Sequence, residues 1–95
     1  MSDFTSYESI PFTKEKIEAI TPGQVGVYGI FNSETWIYIG RGDIRDELLR
    51  YVHGDNPRIL KAKPTHFRAF KTDQSVAVEK ALILKYDPVA NRRVG

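Results

Sequence analysis

Residues 25–54 read VGVYGIFNSETWIYIGRGDIRDELLRYVHG, and the rest of the chain is organised around them. Val25 to Phe31 and Trp36 to Ile39 are rich in β-branched and aromatic residues, which suit a pleated, half-buried surface and predict two strands. The polar turn Asn32-Ser33-Glu34-Thr35 joins them most simply as an antiparallel hairpin. Gly40-Arg41-Gly42 is expected to break the second strand. Asp43 then predicts the cap of a helix to about His53, with Asp46 at the capping-box position. Ile44, Leu48 and Val52, helped by Leu49, fall at helical spacing and form its expected buried stripe. Gly54-Asp55-Asn56-Pro57 ends it.

On the C-terminal side, residues 58–66 are basic and read as irregular. His66 to Lys71 predicts a third strand, and Asp73 or Ser75 is expected to cap a last helix, Val76 to Tyr86, stopped by Asp87-Pro88. On the N-terminal side, Thr13 caps a short predicted helix with Ile17 and Ile20 on its apolar edge, ended by Pro22-Gly23. The expected fold is a small α/β (α+β) domain with a three-stranded, largely antiparallel sheet and about three helices. Residues 1–95 read as one domain, with 1–24 a lead-in segment carrying the short helix and 25–95 the core module.

Composition narrows the function. No apolar run approaches the roughly 18–20 residues of a membrane span, so no membrane role is expected. The polar start from Met1 to Tyr7 lacks a signal-peptide pattern, and zero cysteines exclude disulfides and thiolate metal sites. Both suit a cytoplasmic protein. The net charge of +2 is uneven. Residues 1–40 hold two basic and five acidic side chains, net −3; residues 41–95 hold twelve basic and seven acidic, net +5, with all seven arginines. Arginine pairs well with phosphate, so a polyanionic partner stands beside a plain solvated basic surface.

Glu79 is the most informative single residue. Val76, Leu82 and Ile83 are its helical neighbours, which puts a carboxylate on or beside an apolar face where an unpaired charge is costly. It is either half of a boundary salt bridge or a metal ligand, since Mg²⁺ accepts one carboxylate and keeps several waters. Tyr28 and Tyr38 lie in the two hairpin strands. They share a face if Phe31 pairs with Thr35; they oppose each other if Phe31 pairs with Trp36, unless a bulge intervenes. A strand tyrosine is more often packing than catalysis. His53 and His66 lack metal-ligand spacing and read as loop or cap residues, and Asn91 alone would be a turn residue.

Taken together, Gly26-Val27-Tyr28, Tyr38-Ile39-Gly40 ten residues on from tyrosine to tyrosine, Arg41, a following helix, and helical Glu79 leading to Pro88 and Asn91 resemble the GIY-YIG nuclease domain. The resemblance spans residues 26–91, about two thirds of the chain. It implies an endonuclease-type phosphodiester hydrolase dependent on a single Mg²⁺ or Mn²⁺. Tyr28 would help activate the attacking water, Tyr38 would contact the water or the scissile phosphate, Glu79 would hold the ion, and Asn91 would support the site. One ion serves both to polarise the phosphoryl oxygen and to steady the leaving alkoxide.

One position departs from the family. Its first helix carries an arginine that stabilises the pentacoordinate phosphate. A one-residue deletion aligns Asp43, Leu48 and Tyr51 with their counterparts and sets Glu47 in that arginine's place. An acid in a first helical turn is otherwise favourable. Arg50, on roughly the same face, and Arg41, in the loop, are the candidate substitutes; Arg45 lies about 200° from position 47 around the helix. Either one of them substitutes, or the domain is a weakened nuclease or an inactive nucleic-acid-binding module. In both cases Arg41, Arg45, Arg50, Arg58, Lys61, Lys63 and Arg68 are the expected phosphate contacts, with DNA ahead of RNA. Relatives borrow targeting from a second domain, so a protein partner or an oligomer is expected to supply specificity.

Overall fold

The computed structural model describes residues 3–92. Among them the chain forms β1 (Ile10–Pro11), α1 (Lys14–Glu18), β2 (Val25–Phe31), β3 (Trp36–Asp43), α2 (Ile44–Val52), α3 (Pro57–Lys61), β4 (His66–Lys71) and α4 (Ser75–Tyr86). Short 3₁₀ turns stand at Phe4–Ser6 and Val89–Asn91. The sheet has the order β1-β4-β2-β3 with every pair antiparallel, so β3 is an edge strand.

The α+β class, the hairpin and the strand over His66–Lys71 stand as expected. Two predicted caps form: Thr13 Oγ1 accepts from Lys16 N at 3.2 Å, and Asp43 Oδ1 from Asp46 N at 3.1 Å. Asp43 also accepts Gly23 N at 2.9 Å through its other oxygen, which ties the lead-in segment to α2.

Four expectations need correction. The sheet has four strands, not three: Ile10 and Pro11 form a strand only because they pair with Phe67 and His66, a tertiary cause that no local pattern signals. The stretch read as irregular opens with α3, where the Asn56 side chain caps Arg58 N at 3.2 Å and Pro57 sits in the first turn, giving four α-helices rather than about three. Gly40 and Gly42 do not break β3, because Gly26 pairs with Gly42 and Val27 with Arg41, and the ladder continues to Asp43. The last helix has Gln74 at its N-cap position, without a side-chain bond, instead of Asp73 or Ser75.

The sheet is packed on both faces. On one, Tyr28, Ile30, Ile37 and Phe67 bury against Ile17, Ile44, Leu48, Tyr51 and Ile59 from α1, α2 and α3. On the other, Val27, Ile39 and Phe70 bury against Leu82 of α4 and against Phe4. Each such side chain contributes about 1.5–3 kcal/mol of hydrophobic stabilisation. In α2 the third member of the buried stripe is Tyr51, with Val52 only half-buried.

Candidate active site

The strand pairing decides where the two hairpin tyrosines point. Phe31 pairs with Trp36, the register that would put them on opposite faces, but a bulge follows at once and Ile30 pairs with Tyr38. A bulge restores the phase of one strand against its partner. Tyr28, opposite Gly40, therefore shares a face with Tyr38, and their ring centroids lie 6.3 Å apart. Gly40 is required there: a Cβ on it would sit 2.3 Å from Tyr28 Oη. Tyr51 of α2 completes the cluster, 6.1 Å from the Tyr28 ring and 5.2 Å from that of Tyr38 in an edge-on arrangement.

The two hairpin tyrosines are not equivalent. Tyr28 is fully buried, and its hydroxyl donates to Glu47 Oε1 at 3.1 Å. Burial, then the adjacent Tyr51 and Glu47, push its phenol far above the usual range. Tyr38 is half-buried at the edge, and its phenol is raised as well, first by burial, then by Tyr51 and the nearby Glu79 and Glu47 charges. Glu47 also accepts from Arg50 Nη1 at 2.8 Å, and Arg50 in turn pairs with Asp55 at 2.8 Å.

From α4, Glu79 reaches the same edge beside the buried Leu82 and half-buried Ile83, while Val76, its third expected apolar neighbour, faces solvent. Burial raises the Glu79 carboxyl above its ordinary range; Arg41 opposes this and Glu47 adds to it. Its one ion pair among the described residues is with Arg41, Nε to Oε1 at 3.6 Å, longer than a hydrogen bond. The carboxylate thus keeps acceptor capacity toward solvent. No cluster of three or more His, Cys, Asp or Glu side chains that could hold a metal occurs among the described residues. The arrangement suits a hydrated divalent ion held by one carboxylate and does not suit an all-protein cage.

Asn91 braces the edge. Its side chain accepts from Ile39 N at 2.8 Å and donates to Ile39 O at 2.9 Å, pairing the outward backbone groups of β3 as a neighbouring strand would. The residue between Tyr38 and Gly40 is thereby fixed.

The basic residues divide by how their charge is used. Arg41 is exposed beside Glu79, and Lys61 and Lys63 are exposed in and after α3. Arg45 on α2 donates to Glu18 O at 3.4 Å. Arg50 is held between two acids. Arg58 donates to the carbonyls of Arg92 and Val89, each at 3.0 Å, and with Lys61 lines a shallow groove of about 290 Å³ beside the Val89–Asn91 turn. Arg68 lies away from the tyrosines: it donates to Phe4 O at 3.4 Å and stacks over Phe31. His53 caps α2, and His66 begins β4.

Tyr28, Tyr38, Arg41, Glu79 and, through Ile39, Asn91 thus converge on one edge. Two further participants were not expected from the sequence, the packing of Tyr51 onto both tyrosines and the bond from Tyr28 to Glu47. Tyr51 follows Glu47 by one helical turn, and that spacing, with its alignment to a family counterpart, was the signal the sequence carried.

No protein-family model matches the chain, and no curated protein does. Solved structures do. The chain is similar to the GIY-YIG N-terminal endonuclease domain of UvrC from Thermotoga maritima, in tyrosine-to-phenylalanine and asparagine-to-alanine point mutants each bound to its catalytic divalent cation. The TM-scores are 0.70 and 0.71, with 24% identity over 85% of this chain and 100% of that domain. The chain therefore has the fold of the GIY-YIG endonuclease domain.

Proposed function

We propose that this protein is a divalent-ion-dependent endonuclease that hydrolyses phosphodiester bonds in nucleic acid, DNA in the first place. The observation that carries the reading is the convergence of Tyr38, Arg41 and Glu79 on the Asn91-braced edge of β3, within a fold shared with an endonuclease domain. Glu79 would hold a single Mg²⁺ or Mn²⁺, which when bound neutralises charge on the phosphoryl group.

The remaining roles follow from position. Arg41, exposed and already beside Glu79, is the arginine placed to pair with a phosphate oxygen; Arg50 is spent on Glu47 and Asp55. Arginine meets phosphate through two parallel donors, so this assignment compensates for the family's helix arginine. Tyr38 is the tyrosine near enough to solvent to touch the phosphate or the water, and Tyr51 fixes its ring. Tyr28 takes part from behind, through the bond it donates to Glu47. Asn91 is a positioning residue. Arg41, Arg45, Lys61 and Lys63, with the groove at Arg58, would track the flanking phosphates, and a protein partner or second copy would add sequence or structure specificity.

The test is nicking of supercoiled plasmid at low salt with Mg²⁺ or Mn²⁺. Cleavage that EDTA abolishes and added salt weakens is expected. Cleavage indifferent to EDTA contradicts ion dependence, and salt-sensitive binding without any cleavage makes the protein a binding module on the same fold.

A further inference from the structure

We infer that Glu47, and not Tyr28, takes the proton from the attacking water; the inference rests on the nuclease reading above. Two hydrogen bonds hold this carboxylate in one pose. Oε1 accepts from Tyr28 Oη at 3.1 Å, and Oε2 accepts from Arg50 Nη1 at 2.8 Å. Its Cγ lies only 3.2 Å from where a Cβ on Gly42 would be, and Gly42 has φ +133°, a conformation that favours glycine. Arg50 is itself anchored by Asp55, so the carboxylate is oriented from both ends.

Exposure separates the two candidate bases. The Glu47 side chain is 22% exposed and meets solvent, whereas Tyr28 is 0% exposed. Tyr28 already gives its only hydroxyl proton to Glu47, and burial keeps that phenol protonated at neutral pH. A base must be within reach of the water and ionised, and of the two only the carboxylate meets the first condition. The groups that face Glu47 are Tyr28 from β2, Tyr38 from β3, Arg50 on its own helix and Glu79 from α4, with Arg41 beside Glu79 and Asp55 beyond Arg50.

The water oxygen forms a bond to phosphorus, the bond from phosphorus to the leaving oxygen breaks, and the water's proton passes to Glu47. The leaving alkoxide takes a proton from a solvent water, and Glu47 returns its own to solvent. The net reaction is diester plus water to monoester plus alcohol.

A carboxylate that merely repels phosphate predicts the opposite sign, which makes the test decisive. Glu47→Gln keeps an acceptor for Tyr28 but cannot take the proton. It is expected to lower kcat by about 10²–10⁴-fold with little change in KM. Glu47→Ala is expected to regain part of its activity with added formate, and Mn²⁺ affinity, read by the paramagnetic signal of free Mn²⁺, stays within about twofold of wild type in Glu47→Gln. Activity of Glu47→Gln at or above wild type overturns the inference. So does a loss of rate without formate rescue, which leaves Glu47 a structural part only, or a loss of Mn²⁺ affinity, which makes it an ion ligand. A wild type that does not cleave overturns the nuclease reading and this inference with it; a wild type that cleaves while Glu47→Gln cleaves equally overturns this inference alone.

Discussion

The two faces of the sheet use the same pair of strands for different ends. Facing α4, Val27 and Ile39 sit in an aromatic layer in which Phe4 stacks on Trp36 at 5.3 Å and Trp36 contacts Tyr86 at 4.5 Å. Facing α2, the alternate positions Tyr28 and Tyr38 place hydroxyls beside Glu47 and Tyr51. Period-two alternation lets one hairpin serve both: one set of side chains carries stability and the other carries polar groups. At the edge strand β3 the faces meet, so Arg41, paired with Val27, and Glu79 of α4 stand next to the tyrosine cluster.

This division can be broken from either side. Phe4→Ala removes a fully buried ring from the aromatic layer and is expected to cost about 3–5 kcal/mol. Denaturant unfolding reads that loss, and activity per folded molecule should be unchanged. A comparable fall in specific activity would show that the two faces are not separable. Tyr38→Phe is the converse. It deletes one half-buried hydroxyl and should reduce cleavage by about 10²–10³-fold while the melting temperature stays near wild type. A melting temperature lowered by ten degrees with normal cleavage would assign Tyr38 to packing.

Asn91→Ala touches both. It frees the Ile39 amide and carbonyl, which should cost about 1–3 kcal/mol in stability, with a loss of rate as the strand between Tyr38 and Gly40 loosens. Unchanged hydrogen exchange at Ile39 would contradict the bracing role. The smallest effect lies on the α4 face. Lys85 and Tyr86 hold the Asp3 carboxyl down at about 2, against an ordinary 3.8. A depressed folded value stabilises above the unfolded one, so this contribution is complete above about pH 4 and is lost as pH falls toward 2. Melting curves of Asp3→Asn should lack that acid slope and match wild type at low pH; parallel curves throughout would contradict it.

Much of the fold was legible because its signals are local. The composition of Val25–Phe31 and His66–Lys71, the turn at Asn32 and the caps Thr13 and Asp43 all act within a few residues. What escaped depends on distant partners. Ile10–Pro11 is a strand only through β4, and Gly40 and Gly42 stay in β3 only through β2. The candidate site divides in the same way. The spacing of Tyr28 and Tyr38 and the apolar setting of Glu79 were visible, but the shared face of the tyrosines hangs on one bulge whose position no residue announced. Glu47 read as a misfit against an arginine because its partner Tyr28 is nineteen residues away across the hairpin and α2. The contact by which Asn91 supports the site was hidden, since its partner Ile39 lies fifty-two residues earlier.

The most direct test of the account is plasmid nicking by Glu79→Ala beside wild type, at matched folded fraction and with Mg²⁺ or Mn²⁺. The account predicts that wild type nicks and that Glu79→Ala, with its surroundings in α4 intact, does not. Equal nicking by the two would contradict it.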